Sequence, residues 1–352
     1  MITEATGNLL QADAEALVNT VNTEGVMGKG IALQFKKAYP AMYEAYRRAA
    51  KAGEVRLGQM HVWPTGQMTG PKYVINFPTK GHWKSRSKIA DIESGLADLV
   101  AVIERLGIES IAVPPLGCGN GALRWNDVEP RIVAAFAQVP ETDVLLFAPD
   151  GAPAAAEMTV ATARPEMTRG RAALVEVIDR FTHQSMMGPG LVESQKLMYF
   201  LQEAGEPLKL HFSANRYGPY ADNLRHVLSH IEGHFLSGYG DGSATVANAE
   251  PLAVLDGAVS EAKSVLADAQ ETRARIDRVF ELAAGFESAY GLELLATVHW
   301  LASRDAAAAD EVLTQRVWDW SPRKARMFTA DHVRIALAAL REHRWLPEPS
   351  LV

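Results

Sequence analysis

Over the first 150 residues, short runs rich in β-branched residues alternate with stretches whose apolar residues recur at helical spacing. That alternation narrows the possible folds more than any other feature of the chain. Strands separated by helix-length segments cannot pair as tight hairpins, so they must form a parallel or mixed sheet with helices on its faces. Candidate strands lie at residues 16–19, 59–63, 73–77, 110–114 and 143–147, and candidate helices at 31–37, 41–52, 89–106 and 128–138. The expectation is an α/β fold, an α/β/α sandwich, whose strand order the pattern leaves open.

Residues 150–163, rich in Ala, Pro, Gly and Thr, break this texture. Beyond them the apolar spacing is helical almost throughout, at 171–182, 192–204, 222–231, 255–270, 273–284 and 293–302, with a turn or small hairpin at 236–244. The reading is therefore a first domain at 1–152, a linker at 153–168 and a mainly α-helical second domain at 169–352. A length of 352 residues, 48% of them hydrophobic, is enough for two such cores.

Several function classes are disfavoured. No run approaches the ~20 apolar residues of a membrane span, and Met1-Ile2-Thr3-Glu4 lacks the basic start of a signal peptide. The single cysteine, Cys118, cannot form an internal disulfide, and no Cys/His cluster has zinc spacing. The expectation is a cytoplasmic protein with no metal and no cofactor. Residues 1–155 hold 15 Lys+Arg against 16 Asp+Glu, and residues 156–352 hold 20 against 26. Neither part is the strongly basic body of a non-specific DNA binder, so any nucleic-acid contact must be local.

Two glycine-rich segments each follow a candidate strand and lead into a helix. The first is Asn19-Thr20-Val21-Asn22-Thr23-Glu24-Gly25-Val26-Met27-Gly28-Lys29-Gly30; the second is Pro114-Pro115-Leu116-Gly117-Cys118-Gly119-Asn120-Gly121. Glycines let backbone N–H groups approach phosphate, and a helix start adds a favourable dipole. Either segment alone is as readily an ordinary turn. As a pair at the carboxyl ends of strands, where open α/β sheets place ligands, they read as a clamp for a diphosphate.

With Gly7-Asn8-Leu9-Leu10 before them, these segments resemble the macrodomain family over about residues 1–150. The resemblance implies an ADP-ribose cleft. Asn8 and Leu9 would lie near adenine, and Asn19 would belong to an Asn-x-x-Asn that faces the distal ribose. Gly25, Val26, Met27, Gly28 and Gly30 would run along the diphosphate with Pro115, Leu116, Gly117, Cys118, Gly119, Asn120 and Gly121, and Asn22 would face the distal ribose. Phe147 would either pack beside adenine or fill the core. Cys118 reads as a small residue fitting under a phosphate rather than as a nucleophile.

A third segment bears on catalysis: Asn76-Phe77-Pro78-Thr79-Lys80, then Gly81-His82-Trp83-Lys84-Ser85-Arg86-Ser87-Lys88. By residue type alone it is a solvated basic loop. Within macrodomains it resembles the subgroup holding the glutamate-directed terminal ADP-ribose glycohydrolase and the DNA-deribosylating antitoxins paired with DarT-type toxins. In both, a lysine here serves catalysis, which points to Lys80. A neutral amine can attack the anomeric carbon or its ring-opened aldehyde, provided that neighbouring cations such as Lys84 and His82, or desolvation, depress its pKa. A protonated amine would instead stabilise the departing group. Asn22 would orient the ribose hydroxyls.

The glutamate-directed enzyme carries an assisting aspartate at the place of Gly121, where this chain has no carboxylate; Glu24 and Asp127 are the weak substitutes. That departure favours the DNA-directed subgroup. The loop agrees: Lys84, Arg86 and Lys88 suit phosphates, and Trp83 either stacks on a base or packs into the domain edge. Single-stranded DNA avoids the cost of base flipping.

In the second part, Ser194-Gln195-Lys196-Leu197-Met198-Tyr199-Phe200-Leu201, Phe212, Asn215-Arg216-Tyr217-Gly218-Pro219-Tyr220 and Tyr239-Gly240-Asp241-Gly242 resemble SocA-like (Panacea) antitoxins and the C-terminal half of DarT-neutralising antitoxins. Residues 196–200 read as one amphipathic helix and 216–220 as a rigid Gly-Pro turn displaying aromatics, with Tyr217 and Tyr220 as interface anchors or as packing. The combined expectation is an antitoxin that hydrolyses ADP-ribose from a DNA base, thymidine by the resemblance, in single-stranded DNA. Its C-terminal domain would bind the cognate ADP-ribosyltransferase. The alternatives are a protein glutamate/aspartate mono-ADP-ribose hydrolase and a non-catalytic ADP-ribose reader.

Overall fold

The structure, a computed structural model, describes residues 1–246, 248–305 and 308–346. Residues 247, 306–307 and 347–352 of the expected second domain lie outside the described residues. The chain divides into two units, Met1–Ala163 with Gly240–Ser243, and Arg164–Tyr239 with Ala244–Val352. The first division falls inside the stretch read as a linker.

The first unit runs β1 (Ile2–Ala5), β2 (Ala16–Asn22), α1 (Ile31–Ala38), α2 (Pro40–Lys51), β3 (His61–Pro64), β4 (Tyr73–Lys80), α3 (Ile89–Leu106), β5 (Ser110–Val113), α4 (Trp125–Phe136) and β6 (Asp143–Phe147). The six strands form one sheet in the order β1-β6-β5-β2-β4-β3. Its pairs are parallel except for β3 against β4. The expected sandwich is borne out. One core holds Ile92, Leu96, Leu99 and Ile103 of α3 with Val128 and Ile132 of α4. The other holds Phe35 of α1 with Met42 and Tyr46 of α2. The helix after β2 thus covers one face and the helix after β5 the other. Since β2 and β5 are neighbours, their loops diverge at a topological switch point, where α/β sheets bind ligands.

Two differences from the sequence reading have local causes. β1 went unread because it is four residues long and only half-buried, too short for alternation to register. β2 and β4 run three residues beyond their expected ends, to Asn22 and Lys80, because polar residues there pair inside the sheet. Helix α3 ends as its sequence dictates: Gly107 takes φ +61°, and its N–H caps carbonyls of the last turn.

The second unit contains α5 (Arg169–Ser185), α6 (Leu191–Glu203), β7 (Phe212–Asn215), β8 (Gly218–Ala221), α7 (Asp222–Ile231), β9 (Leu236–Ser237), β10 (Ala253–Val254), α8 (Ala258–Val265), α9 (Gln270–Ala283), α10 (Ala289–Ala302), α11 (Asp310–Trp320), α12 (Pro322–Met327) and α13 (Ala330–Glu342). It is mainly helical, as expected, but four readings are corrected. Helix α6 is not amphipathic over 196–200, since every residue from Ser194 to Leu201 is buried. Residues 216–220 are not a free turn; Gly218 and Pro219 belong to β8, paired with β7, and Pro219 is buried. Leu236–Ser237 pairs with Ala253–Val254 rather than forming a hairpin within 236–244. The helix expected at 255–270 is the shorter α8. Helices α11 to α13 were not anticipated; their exposed faces carry many charges, and their buried residues are few per turn.

Candidate active site

The site is built where β2, β4 and β5 end. In the pairing of β2 with β4 the register shifts between Val21 and Asn22, which sets Asn22 opposite Lys80. A bulge at a strand end re-aims side chains, and here it brings the last residues of both strands to the sheet edge together. Thr23 then ties the two following loops, its N–H donating to the Gly81 carbonyl at 3.0 Å.

Lys80 is 8% exposed, and its Nζ donates to the Asn120 carbonyl at 2.9 Å. Burial lowers its pKa from the ordinary lysine value. Desolvation is thus the agent, and the neighbouring cations proposed from sequence are not: Lys84 lies over the Trp83 ring at 4.7 Å, and His82 stacks on that ring with centroids 5.5 Å apart. Of the two substitute carboxylates, Asp127 pairs with Arg124 at 2.8 Å and Glu24 faces His82 at 3.7 Å.

The two glycine loops converge. Gly30, at φ +65° and ψ −154°, begins α1 in a conformation that suits glycine alone. A Cβ placed there would stand 3.2 Å from the Asn120 side-chain nitrogen. Loop 117–121 closes on itself through Leu123 N–H to Gly117 O at 3.0 Å, with Gly117 at φ +70°. In the first loop Gly25, at φ +82°, lets the backbone rest on α2, where a Cβ would meet Ala50 at 3.2 Å. Val26, Gly28 and Lys29 are exposed and Met27 is buried. In the second loop Gly119 and Asn120 are exposed, Pro115 and Cys118 half-buried, and Leu116, Gly117 and Gly121 buried. The Gly30 N–H donates to the Asp241 carbonyl at 3.0 Å, and the Asp241 carboxylate accepts from Gln34 at 2.7 Å. Residue 241 belongs to the short segment counted with this unit. One N–H expected to face the diphosphate is therefore engaged by protein.

Three other expected residues turn inward. Asn19 is 0% exposed, and its amide donates to Asn76 at 2.9 Å beneath Met27; strand alternation puts it on the face of Leu17 and Val21, under α1 and α2. Asn22 holds its own loop, donating to Val26 O at 2.6 Å and accepting from Glu24 N at 3.0 Å, while the Tyr46 hydroxyl bonds its carbonyl. Phe147 packs in the core cluster that includes Leu9. Asn8 caps the short turn Leu9–Gln11, accepting from Leu10 N at 3.0 Å and donating to Glu157 O at 3.0 Å. Cys118 is held as a thiol, since burial pushes it up to about 11. Trp83 does not pack into an edge: it is 46% exposed, amid exposed Lys84, Arg86 and Lys88. Sequence reasoning missed Tyr46 and Thr23, whose roles depend on where α2 and the loop after β4 land.

Residues 18–132 match the Macro domain family. A DNA ADP-ribosyl glycohydrolase of Mycobacterium tuberculosis is 46% identical over 348 residues, covering 96% of this chain and 98% of that protein. The chain belongs to the DNA ADP-ribosyl glycohydrolase family. By that membership it is a hydrolase of ADP-ribose linkages. A DNA ADP-ribosyl transferase-DNA ADP-ribosyl glycohydrolase fusion protein of Thermosipho africanus is 33% identical over 158 residues, 41% of this chain and 40% of that one. Among solved structures, the macrodomain of Mycobacterium tuberculosis DarG is 60% identical and covers 43% of this chain and 99% of its own, with a TM-score of 0.42. Lys80 lies within the residues matched to the Macro domain family.

Proposed function

We propose that this glycohydrolase removes ADP-ribose from a DNA base, thymidine in single-stranded DNA, and that its second unit binds the ADP-ribosyltransferase that attaches it. The observation carrying the first part is the buried Lys80 amine beside loop 117–121. Depression of its pKa raises the fraction present as neutral amine, the form that can attack carbon. In the proposed reaction Nζ bonds to the anomeric carbon of the distal ribose as the bond to the base nitrogen breaks. The base takes up a proton, and water then cleaves the lysine–ribose bond to release ADP-ribose and restore the amine. The glycine loops hold the diphosphate, with Asn8 and Leu9 toward adenine. Asn22 acts by shaping the first loop, since its amide is committed there. Exposed Trp83 with Lys84, Arg86 and Lys88 supplies a stacking face and phosphate partners for the strand. The fusion relative supports pairing with a transferase.

The test is release of ADP-ribose from a thymidine-modified oligonucleotide. Lys80→Ala is expected to slow release at least about 100-fold, while the full-length variant still inhibits the transferase stoichiometrically. Release by the variant at the wild-type rate removes Lys80 from the mechanism. Loss of transferase inhibition along with hydrolysis removes the binding role of the second unit. Turnover of a glutamate-linked substrate in place of the oligonucleotide assigns the enzyme to protein instead.

A further inference from the structure

Ser87 lies seven residues beyond Lys80, on the segment that leads into α3. It is 5% exposed, and its Oγ has no hydrogen-bond partner among the described residues. Leaving a buried hydroxyl unpaired costs stability, so the group needs a reason to be there. Its surroundings suggest one. The Ser87 N–H donates to the Gly121 carbonyl at 2.9 Å, just as Lys80 Nζ holds the Asn120 carbonyl, so one segment grips loop 117–121 at two consecutive carbonyls.

The hydroxyl points into that loop. A Cβ built on Gly121 would stand 2.3 Å from Ser87 Oγ but 2.9 Å from Ser87 Cβ. A Cβ on Gly117 would stand 2.9 Å from Leu123 Cδ1, 3.1 Å from Ser87 Cβ and 3.2 Å from the same oxygen. The loop thus has glycine at both positions flanking the oxygen, and any side chain at either would cover or displace it. A glycine loop whose fold leaves a donor unspent at its base is suited to an anion with several acceptor oxygens.

We propose that Ser87 is a pyrophosphate-binding residue whose Oγ–H donates to an oxygen of the ADP-ribose diphosphate as loop 117–121 settles around it. The proposal rests on assigning this loop to ADP-ribose. It gives the buried oxygen a partner, and it places the pyrophosphate grip and the Lys80 amine on one stretch of backbone. Binding the diphosphate then registers the amine against the ribose beyond it.

The test compares wild type and Ser87→Ala, full-length, by calorimetric titration with ADP-ribose and by thermal melting without it. A donor to a charged oxygen is worth about ten-fold in affinity, so Ser87→Ala should bind ADP-ribose about ten-fold more weakly. Having lost only an unpaired group, it should melt at or above the wild-type temperature. Affinity within two-fold of wild type overturns the proposal and leaves the ADP-ribose site standing. Weaker binding with a lower melting temperature also overturns it, because Ser87 is then a packing residue. Failure of wild type itself to bind ADP-ribose refutes the site and the proposal together.

Discussion

Lys80 makes the sharpest claim at the scale of a single residue, because its protonation state decides its chemistry. Burial favours the neutral amine and moves its pKa below the ordinary lysine value. If the neutral form attacks, the rate must rise with pH through that lowered pKa and level off above it. Lys80→Arg, which stays charged, should be as slow as Lys80→Ala at every pH. A pH–rate profile measures both. A rate that falls with rising pH, with substantial activity in the arginine variant, would mean that the amine acts as a cation. A lysine at the end of β4 was legible from the motif, with cations and desolvation both open as causes of a lowered pKa; the choice between them was not, because burial depends on Asn120 and its loop, which arrive from 40 residues away.

Elements show the same division. The apolar spacing of Ile92, Leu96, Leu99 and Ile103 identifies α3 from sequence, and Gly107 marks its end. What the spacing does not reveal is how closely α3 approaches β4. At Gly95 a Cβ would stand 2.3 Å from Phe77 Cζ, three residues before Lys80. Gly95→Val should therefore overpack this contact and destabilise the first unit by about 1–3 kcal/mol. Chemical denaturation followed through the first unit checks this, and an unmoved midpoint would show that the helix yields without cost. Helix α6 shows the converse. Its sequence reads as amphipathic because it contains Ser194, Gln195 and Lys196, yet all three are buried and hydrogen-bonded. Ser194 donates to Gly190 just before the helix, while Gln195 and Lys196 are satisfied by β8, and local spacing carries no record of those distant partners.

At the scale of the whole molecule, the second unit is held around a buried charged group. Glu293 accepts from Arg323 and from Lys324 at 2.6 Å, and Lys196 Nζ donates to Pro219 O at 2.6 Å. Burial lowers Lys196 to about 7, with Lys324 adding to the shift and Glu293 opposing it. Burial lowers Lys324 in the same direction, against Glu293. Between about 7 and the ordinary lysine value the unfolded chain binds a proton that folded Lys196 does not. The stability of the second unit should therefore rise with pH across that window. Lys196→Met should flatten the rise, as measured by melting from pH 7 to pH 10. An equally steep rise in the variant would assign the dependence to other groups.

From residue order alone came the alternation of strands and helices, the two glycine loops and the basic segment after β4. Each is a local periodicity or a local steric requirement, written in neighbouring residues. Tertiary structure alone decided which polar groups remain for chemistry. The Asn19 and Asn22 amide nitrogens are consumed within the protein, the Lys80 amine is desolvated, and the Ser87 hydroxyl is left over. Hydrogen-bond accounting and desolvation depend on what packs against a group from distant parts of the chain, and no local pattern contains that information.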